Sequence, residues 1–303
     1  MEIKFSIVIT TKNRLKDLEY TLNTLEPYLQ RNDVELLICD DASIDGTQSF
    51  LKQHYSRHRL IFNKKSKGLI ENRNVLNSLS RGDYIISLDD DLNFLTEQSL
   101  EKIEKYFEFN RNVVLLSFRI FWNKTPPISI NSSHLPHRVK SYAGGAHVIK
   151  KIFWNLIPNY PSWFKFYGEE DFVSYYALKH KKEIHYFPQV LTHHRVNLFS
   201  RKKHQDYRLR LRRSLRSGWY LYMLFYPLKK IPKLFFYTLW FQLKNKTFIG
   251  DLRATVAILQ ALVDLLVNLP RLLKNAHRLS EKEFEEYQKL PDTQLYWSPK
   301  NER

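Results

Sequence analysis

One cysteine in 303 residues, Cys39, rules out an internal disulfide and fits a reducing compartment. It lies inside the apolar run "VELLICDD" and reads as a small buried hydrophobe. The N-terminus "MEIKFSIVITTKNR" lacks the basic, long apolar and small-residue segments of a signal peptide, so it is expected to open a domain as its first strand. Long uninterrupted hydrophobic runs are missing too. "GWYLYMLFYPL" (218–228) and "LFFYTLWFQL" (234–243) are shorter than the roughly 20 residues that cross a bilayer. In the longer "ATVAILQALVDLLVNLPRLL" (254–273), Gln260, Asp264 and Asn268 recur at every fourth position, which predicts an amphipathic helix. Neither an internal repeat nor a low-complexity segment is present. No Gly-rich phosphate loop with Lys or Arg lies near the N-terminus, which weighs against a nucleotidyltransferase of similar α/β fold.

Acidic residues are scarce in one part of the chain. Residues 1–198 are nearly balanced, with 27 Lys/Arg against 22 Asp/Glu, whereas 199–303 hold 21 against 9, a net charge of +12. This divides the chain into an expected catalytic domain, 1–198, and a basic, aromatic-rich helical region, 199–303. The excess charge points to a polyanionic partner for the second region. A non-catalytic nucleic-acid-binding protein would also carry such charge, but the tail holds no recognisable recognition module, and no specific nucleic-acid partner is expected.

In the first region, apolar runs rich in β-branched residues alternate with helical patterns. "FSIVITT" (5–11), "VELLICDD" (34–41), "RLIFN" (59–63) and "DYIISLDDD" (83–91) read as strands, with helices over 15–29, 46–57 and 69–80 between them. That order predicts an α/β domain with a mainly parallel sheet flanked by helices. Ligands of such sheets bind outside the carboxyl ends of the strands. Thr10, Thr11, Asn13 and Arg14 follow the first strand, Asp40, Asp41 and Ser43 the second, and Asp89, Asp90 and Asp91 the fourth.

Three adjacent aspartates can be a solvated turn or a divalent-cation site. Convergence with the other strand ends favours the cation site. Two carboxylates at alternate positions reach a hard ion such as Mg²⁺ or Mn²⁺, whose remaining ligands commonly come from substrate phosphates. The expected substrate is therefore a nucleoside diphosphate carrying a leaving group.

From about residue 4 to 195, the chain resembles the family 2 inverting glycosyltransferases of GT-A fold. The resemblance rests on "SIVITTKNR", "ICDDASIDGT" (38–47), the stretch "KGLIENRNVLNSLSRGDYIISLDDD" and "FKFYGEEDFVSYYALKHKKEIHYFPQVLTHHR". It implies a nucleotide-binding half over about 1–95 and an acceptor half over about 96–198. It puts Thr10, Thr11, Asn13, Arg14, Asp41 and Arg73 at the donor nucleotide, with Asp41 on the base. Asp89 and Asp91 are the two motif aspartates. Asp91 is the main metal ligand, with Mn²⁺ or Mg²⁺ as cofactor; Asp89 and Asp90 count with the donor-nucleotide residues, and Asp90 is the middle residue that the family often leaves variable and whose substitution should matter least. Gapless alignment anchored at Pro188 sets Glu169 and Glu170 on the family's "ED" pair and gives Glu170 the base role; a one-residue shift would give that role to Asp171. Acids there also suit a helix N-terminus through the macrodipole. His193 or His194 would complete the metal site, and alternation along a strand lets only one of them face the crevice. Gly144, Gly145, Trp163 and Glu169 would border the acceptor or the transferred sugar.

The resemblance implies transfer from a UDP-, GDP- or dTDP-sugar to a glycan or lipid-linked acceptor in cell-surface polysaccharide or glycoconjugate synthesis. Basic residues around Trp, Tyr and Phe in the C-terminal region suit an anionic membrane surface. The expected location is cytoplasmic, peripheral at the inner face of the cell membrane.

Overall fold

The computed structural model describes residues 2–196 and 206–299. The expected boundary at 198/199 and the start of the basic run, through residue 205, lie outside the described residues. Strands β1 (Phe5–Thr11), β2 (Val34–Asp40), β3 (Arg59–Phe62) and β4 (Tyr84–Asp89) pair in parallel, in the order β3-β2-β1-β4. Helices α1 (Leu15–Leu29), α2 (Thr47–His54) and α3 (Leu69–Leu79) make the crossovers. Thr10 stands in register with Cys39 on one side and Asp89 on the other, so the polar ends of three strands meet at one edge.

Past β4 the sheet becomes mixed. β5 (Leu92–Phe94), α4 (Ser99–Phe109), β6 (Val113–Trp122), β7 (His137–Arg138), β8 (Ala146–Lys150), α5 (Lys151–Leu156), α6 (Glu169–Lys179) and β9 (Glu183–His194) follow in the chain. β8 lies antiparallel between β4 and β6, β6 runs parallel to β9, and β5 closes the far edge antiparallel to β9. Strand pairing of β4 stops at Asp89, and the chain turns through Asp90 and Asp91 before β5. The β5–β9 register sets Leu92 opposite His194 and so carries that histidine to the aspartate turn.

Because side chains alternate along a strand, the sheet feeds two cores. Phe5, Ile7 and Ile9 pack with Leu18 and Leu22 of α1 and Ile103 of α4 on one face. Val8 and Cys39 face the other side with Ile70 and Leu76 of α3. Cys39 is buried, and desolvation pushes its thiol up to about 12, so it behaves as an inert apolar group.

The C-terminal helices share this second core. α7 (Tyr207–Phe225) contributes Trp219, Tyr220, Leu224 and Phe225, and α9 (Leu252–Lys274) contributes Ile258 and Leu265. Between them lies α8 (Ile231–Gln242), and α10 (Glu281–Lys289) starts with a reciprocal Ser280–Glu283 capping box. α9 buries Ala254, Ala257, Ile258, Ala261, Leu265 and Leu272, and its polar residues Gln260, Asp264 and Asn268 lie partly buried beside them. Asp264 takes a two-pronged hydrogen bond from Arg212 (2.7 and 2.6 Å), and Tyr220 donates to the Asp264 carbonyl. Leu252, Val256, Leu259, Val263, Leu266 and Val267 form the exposed stripe. Among the described residues, α9 is the one helix long and apolar enough, by length and composition, to cross a membrane.

Candidate active site

The aspartate turn separates its three carboxylates. Asp90 points inward, accepting from Thr11 Oγ1 at 2.8 Å, while Thr21 Oγ1 donates to its carbonyl at 2.7 Å. Burial raises the Asp90 carboxyl to about 7, against the pull of Arg14. Asp91 is also buried, which alone would raise it. Its contacts with His194 and with Arg14 Nη2 at 2.6 Å outweigh that effect and hold it at about 2. Asp89 accepts from Arg73 Nη2 at 2.9 Å; desolvation raises its pKa even though Arg73 and His194 oppose the shift.

His194 Nε2 stands 3.0 Å from Asp91 Oδ1 and 3.9 Å from Asp89 Oδ2. One ligand atom from each of these three residues lies within 4.8 Å of the others. Neighbouring ligands of an octahedral ion held at 2.0–2.1 Å are about 3 Å apart, so the Asp91–His194 pair already has metal-ligand spacing. His193 belongs elsewhere. Its Nε2 meets the Asn123 carbonyl at 2.8 Å, because adjacent strand residues face opposite sides.

Asp41 is buried, and its desolvation is outweighed by hydrogen bonds that keep it below the usual carboxylate range. Oδ1 accepts from Asn63 Nδ2 (3.0 Å) and the Lys67 amide (2.8 Å); Oδ2 accepts from Ser66 Oγ (2.6 Å) and the Gly68 amide (3.1 Å). Asp41 therefore shapes the 66–68 loop that walls a cavity of about 620 Å³ at the ends of β1, β2 and β4. Thr10, Thr11 and Arg14 line it as well. Asn13 does not. Its amide donates to Ser43 Oγ and its side chain accepts from the Ile44 amide, so it staples the two strand-end loops together, with φ at +53°.

A second cavity of about 690 Å³ adjoins the first and contains the acids of α6. Asp89, His194 and Phe166 line both. Glu170 and Asp171 open onto the second cavity, and Gly144 and Gly145 lie against its carboxylates. A β-carbon on Gly145 would sit 2.9 Å from Asp89 Oδ2, so this glycine serves carboxylate packing. Burial drives Glu170 well above its usual pKa, and Glu169 beside it adds to the rise while Arg73 opposes it. Asp171 is raised by burial, against a hydrogen bond with Ser141. Glu169 is itself buried, 3.7 Å from Arg73 Nη1. Trp163 lines neither cavity: it packs on Phe164 and Tyr220 with the Arg271 guanidinium 4.8 Å above its ring.

Several lining residues carried no sequence signal. Lys165 and Arg213 reach the first cavity, and Trp122, Asp292, Thr293 and Leu295 the second. Lys165 and Tyr167 adopt φ of +67° and +70°, left-handed values that cost a non-glycine residue about 1–3 kcal/mol each and cluster at functional sites. Phe166, between them, lines both cavities.

The family model for glycosyl transferase family 2 matches residues 6–172. The putative glycosyltransferase EpsE of Bacillus subtilis is 38% identical over 114 residues, 36% of this chain and 40% of that protein's length. Two solved structures share the fold. One is a mannosyltransferase from Pyrobaculum calidifontis in complex with GDP-Man and Mn²⁺, with TM-score 0.57 and 13% identity over 95% of this chain and 79% of that one. The other is GalNAc-T7 with UDP, GalNAc and Mn²⁺, with TM-score 0.59 and 16% identity over 76% of this chain and 49% of that one. Both are GT-A glycosyltransferases. With more than half of its residues matched by the family model, the chain belongs to glycosyl transferase family 2.

Proposed function

We propose that this glycosyltransferase is a metal-dependent inverting enzyme that moves a sugar from a nucleotide-sugar to a hydroxyl of a glycan or lipid-linked acceptor. The observation that carries the reading is the Asp89–Asp91–His194 cluster, whose members Asp89 and His194 stand where the two cavities join. A donor seated in the first cavity would bring its diphosphate and anomeric carbon to that junction. Lys12, Lys67, Lys165 and Arg213 ring the same cavity and suit an anionic ligand. An imidazole beside two carboxylates fits Mn²⁺ better than Mg²⁺, which prefers an all-oxygen shell. When bound, the ion neutralises the departing nucleoside diphosphate.

On the acceptor side, Glu170 is the base, with Asp171 one residue away in the same cavity. Its carboxylate takes the proton from the acceptor hydroxyl. The freed oxygen attacks the anomeric carbon as the bond to the diphosphate breaks, which inverts that carbon in one displacement. Arg73 bridges the Gly144 carbonyl, Asp89 and Glu169, tying the donor and acceptor sides together. Family membership sets aside a nucleotidyltransferase and a non-catalytic nucleic-acid-binding protein.

A membrane-surface location at the inner face of the cell membrane is part of the same reading. It is supported by Phe236, Tyr237, Trp240 and Phe241 exposed on α8 and by the apolar stripe of α9. Lys229, Lys230, Lys233, Lys244 and Lys246 flank these surfaces and complement anionic lipid.

The test is a donor screen with UDP-, GDP- and dTDP-sugars, with and without Mn²⁺, following binding and hydrolysis. At least one donor should be hydrolysed with Mn²⁺ and not by Asp91→Ala. A chain that binds and turns over none of them does not carry out this reaction.

A further inference from the structure

The last described segment returns from the helical region to the catalytic sheet. The Lys140 amide donates to the Pro291 carbonyl at 2.9 Å, and Thr293 Oγ1 donates to Ser117 Oγ at 3.2 Å. The Trp297 amide donates to the Ile120 carbonyl at 2.6 Å. Trp297 is buried against Phe121 and Leu191, with the Arg119 guanidinium 4.4 Å over its ring. This strap is therefore anchored by an aromatic plug and a bridge to the edge of β6. Between its anchors, Asp292, Thr293 and Leu295 line the cavity that holds Glu170 and Asp171.

We propose that the strap 291–297 is the outer wall of the acceptor cavity and selects an uncharged sugar as the acceptor. This rests on the glycosyl-transfer reading above and names the substrate class for its second cavity. The chemistry of the wall carries it. Arg73 is the one lysine or arginine lining the cavity among the described residues, and Asp89, Glu169 and the Gly144 carbonyl already occupy it. Besides Asp89, four carboxyls line the same space: Glu169, Glu170, Asp171 and Asp292. Lys140 pairs with Asp292 at 3.3 Å from outside the cavity. A uronate or phosphorylated sugar would be desolvated there with no free cation among the described lining residues to receive it. Burial raises Glu170 and Asp171, the direction expected where desolvation disfavours a further negative charge. A neutral sugar meets what the wall offers: the Trp122 and Tyr167 rings for its C–H faces, and Ser141 and Thr293 hydroxyls for its own.

The experiment measures transfer from the donor found in the screen to p-nitrophenyl glycosides. The neutral set is β-glucoside, β-galactoside and N-acetyl-β-glucosaminide, and the charged probe is β-glucuronide. At least one neutral glycoside should accelerate donor consumption, with the glucuronide at least about tenfold lower in kcat/KM. Asp292, whose side chain is 86% exposed, can be changed without disturbing the core. Asp292→Asn should raise kcat/KM for the glucuronide and narrow the ratio, and Leu295→Ala should raise the KM for neutral glycosides more than it lowers kcat. Equal use of the glucuronide, a ratio untouched by Asp292→Asn, or donor hydrolysis that no glycoside accelerates would each overturn the assignment. Absence of any donor hydrolysis overturns the glycosyl-transfer reading itself, and this inference with it.

Discussion

Gly144 passes so close to Glu170 that a β-carbon on the glycine would lie 2.2 Å from Glu170 Oε1 and 3.2 Å from Arg73 Nη1. The missing side chain is what lets the proposed base and the bridging arginine share one narrow space. Gly144→Ala must displace Glu170, and a shift of about 1 Å in a reacting group can cost about 100-fold in rate. Turnover of donor and acceptor should fall by that order, with thermal melting as the check on folding. A fully active Gly144→Ala enzyme would sink the view that this contact sets the position of the base.

Glu170 should give activity and stability opposite pH dependences. Burial and the neighbouring Glu169 raise its pKa, so the folded protein holds this proton above pH 4.5, the ordinary glutamate value, where the unfolded chain has begun to release it. The stability this provides is fully present below that value and is lost as pH rises through the folded pKa. A base must be ionised, so turnover rises over the same range. Glu170→Gln should flatten the stability slope and lower turnover by about 10²–10⁴. Melting curves and rate profiles recorded across pH on both proteins decide this, and an unchanged rate in the glutamine variant would move the base role to Asp171.

The two adjacent histidines offer an internal control on the metal site. His194 lies 3.0 Å from Asp91, while His193 is turned to the Asn123 carbonyl. His194→Ala should weaken Mn²⁺ binding at least about 10–100-fold, the range already lost when only a supporting partner of a ligand is removed. His193→Ala should bind Mn²⁺ as the parent protein does. Calorimetric titration of Mn²⁺ in the presence of UDP measures both, and equal affinities in the two variants would remove His194 from the ligand set.

Strands β1 to β4 were legible because each is a continuous apolar run closed by polar residues, a pattern written in local sequence. The antiparallel insertion of β8 between β4 and β6 was not, since pairing between strands about 60 residues apart leaves no local trace. Periodicity in α9 gave two faces but not their direction; that depends on Arg212 of α7 meeting Asp264. Trp163 and Trp122 look alike in sequence, yet the first packs under Arg271 and the second lines the cavity that holds Glu170 and Asp171. Asp292 and Thr293 reach that cavity because Trp297, a few residues on, is plugged against β6, which lies far back in the chain.

The exposed apolar face of α8 and α9 can be tested without dismantling the fold. Truncation after residue 217 would strip Trp219, Tyr220 and Phe225 from the core shared with the catalytic sheet, so lost binding could simply report unfolding. Phe236, Trp240, Leu259 and Val263 are exposed instead, and surface substitutions away from buried features usually change stability by no more than about 0.5 kcal/mol. Each contributes about 1.5–3 kcal/mol when its side chain leaves water, so replacing all four by serine should lower lipid partitioning well beyond tenfold. The parent protein should sediment with phosphatidylglycerol vesicles and far less with phosphatidylcholine, because lysines at both ends of α8 supply attraction that only the anionic surface returns. The fourfold variant should stay in the supernatant with either lipid while keeping its melting temperature. A parent protein that ignores both vesicles counts against a lipid surface, and a dimer lost in the variant would give this face to a second copy of the chain.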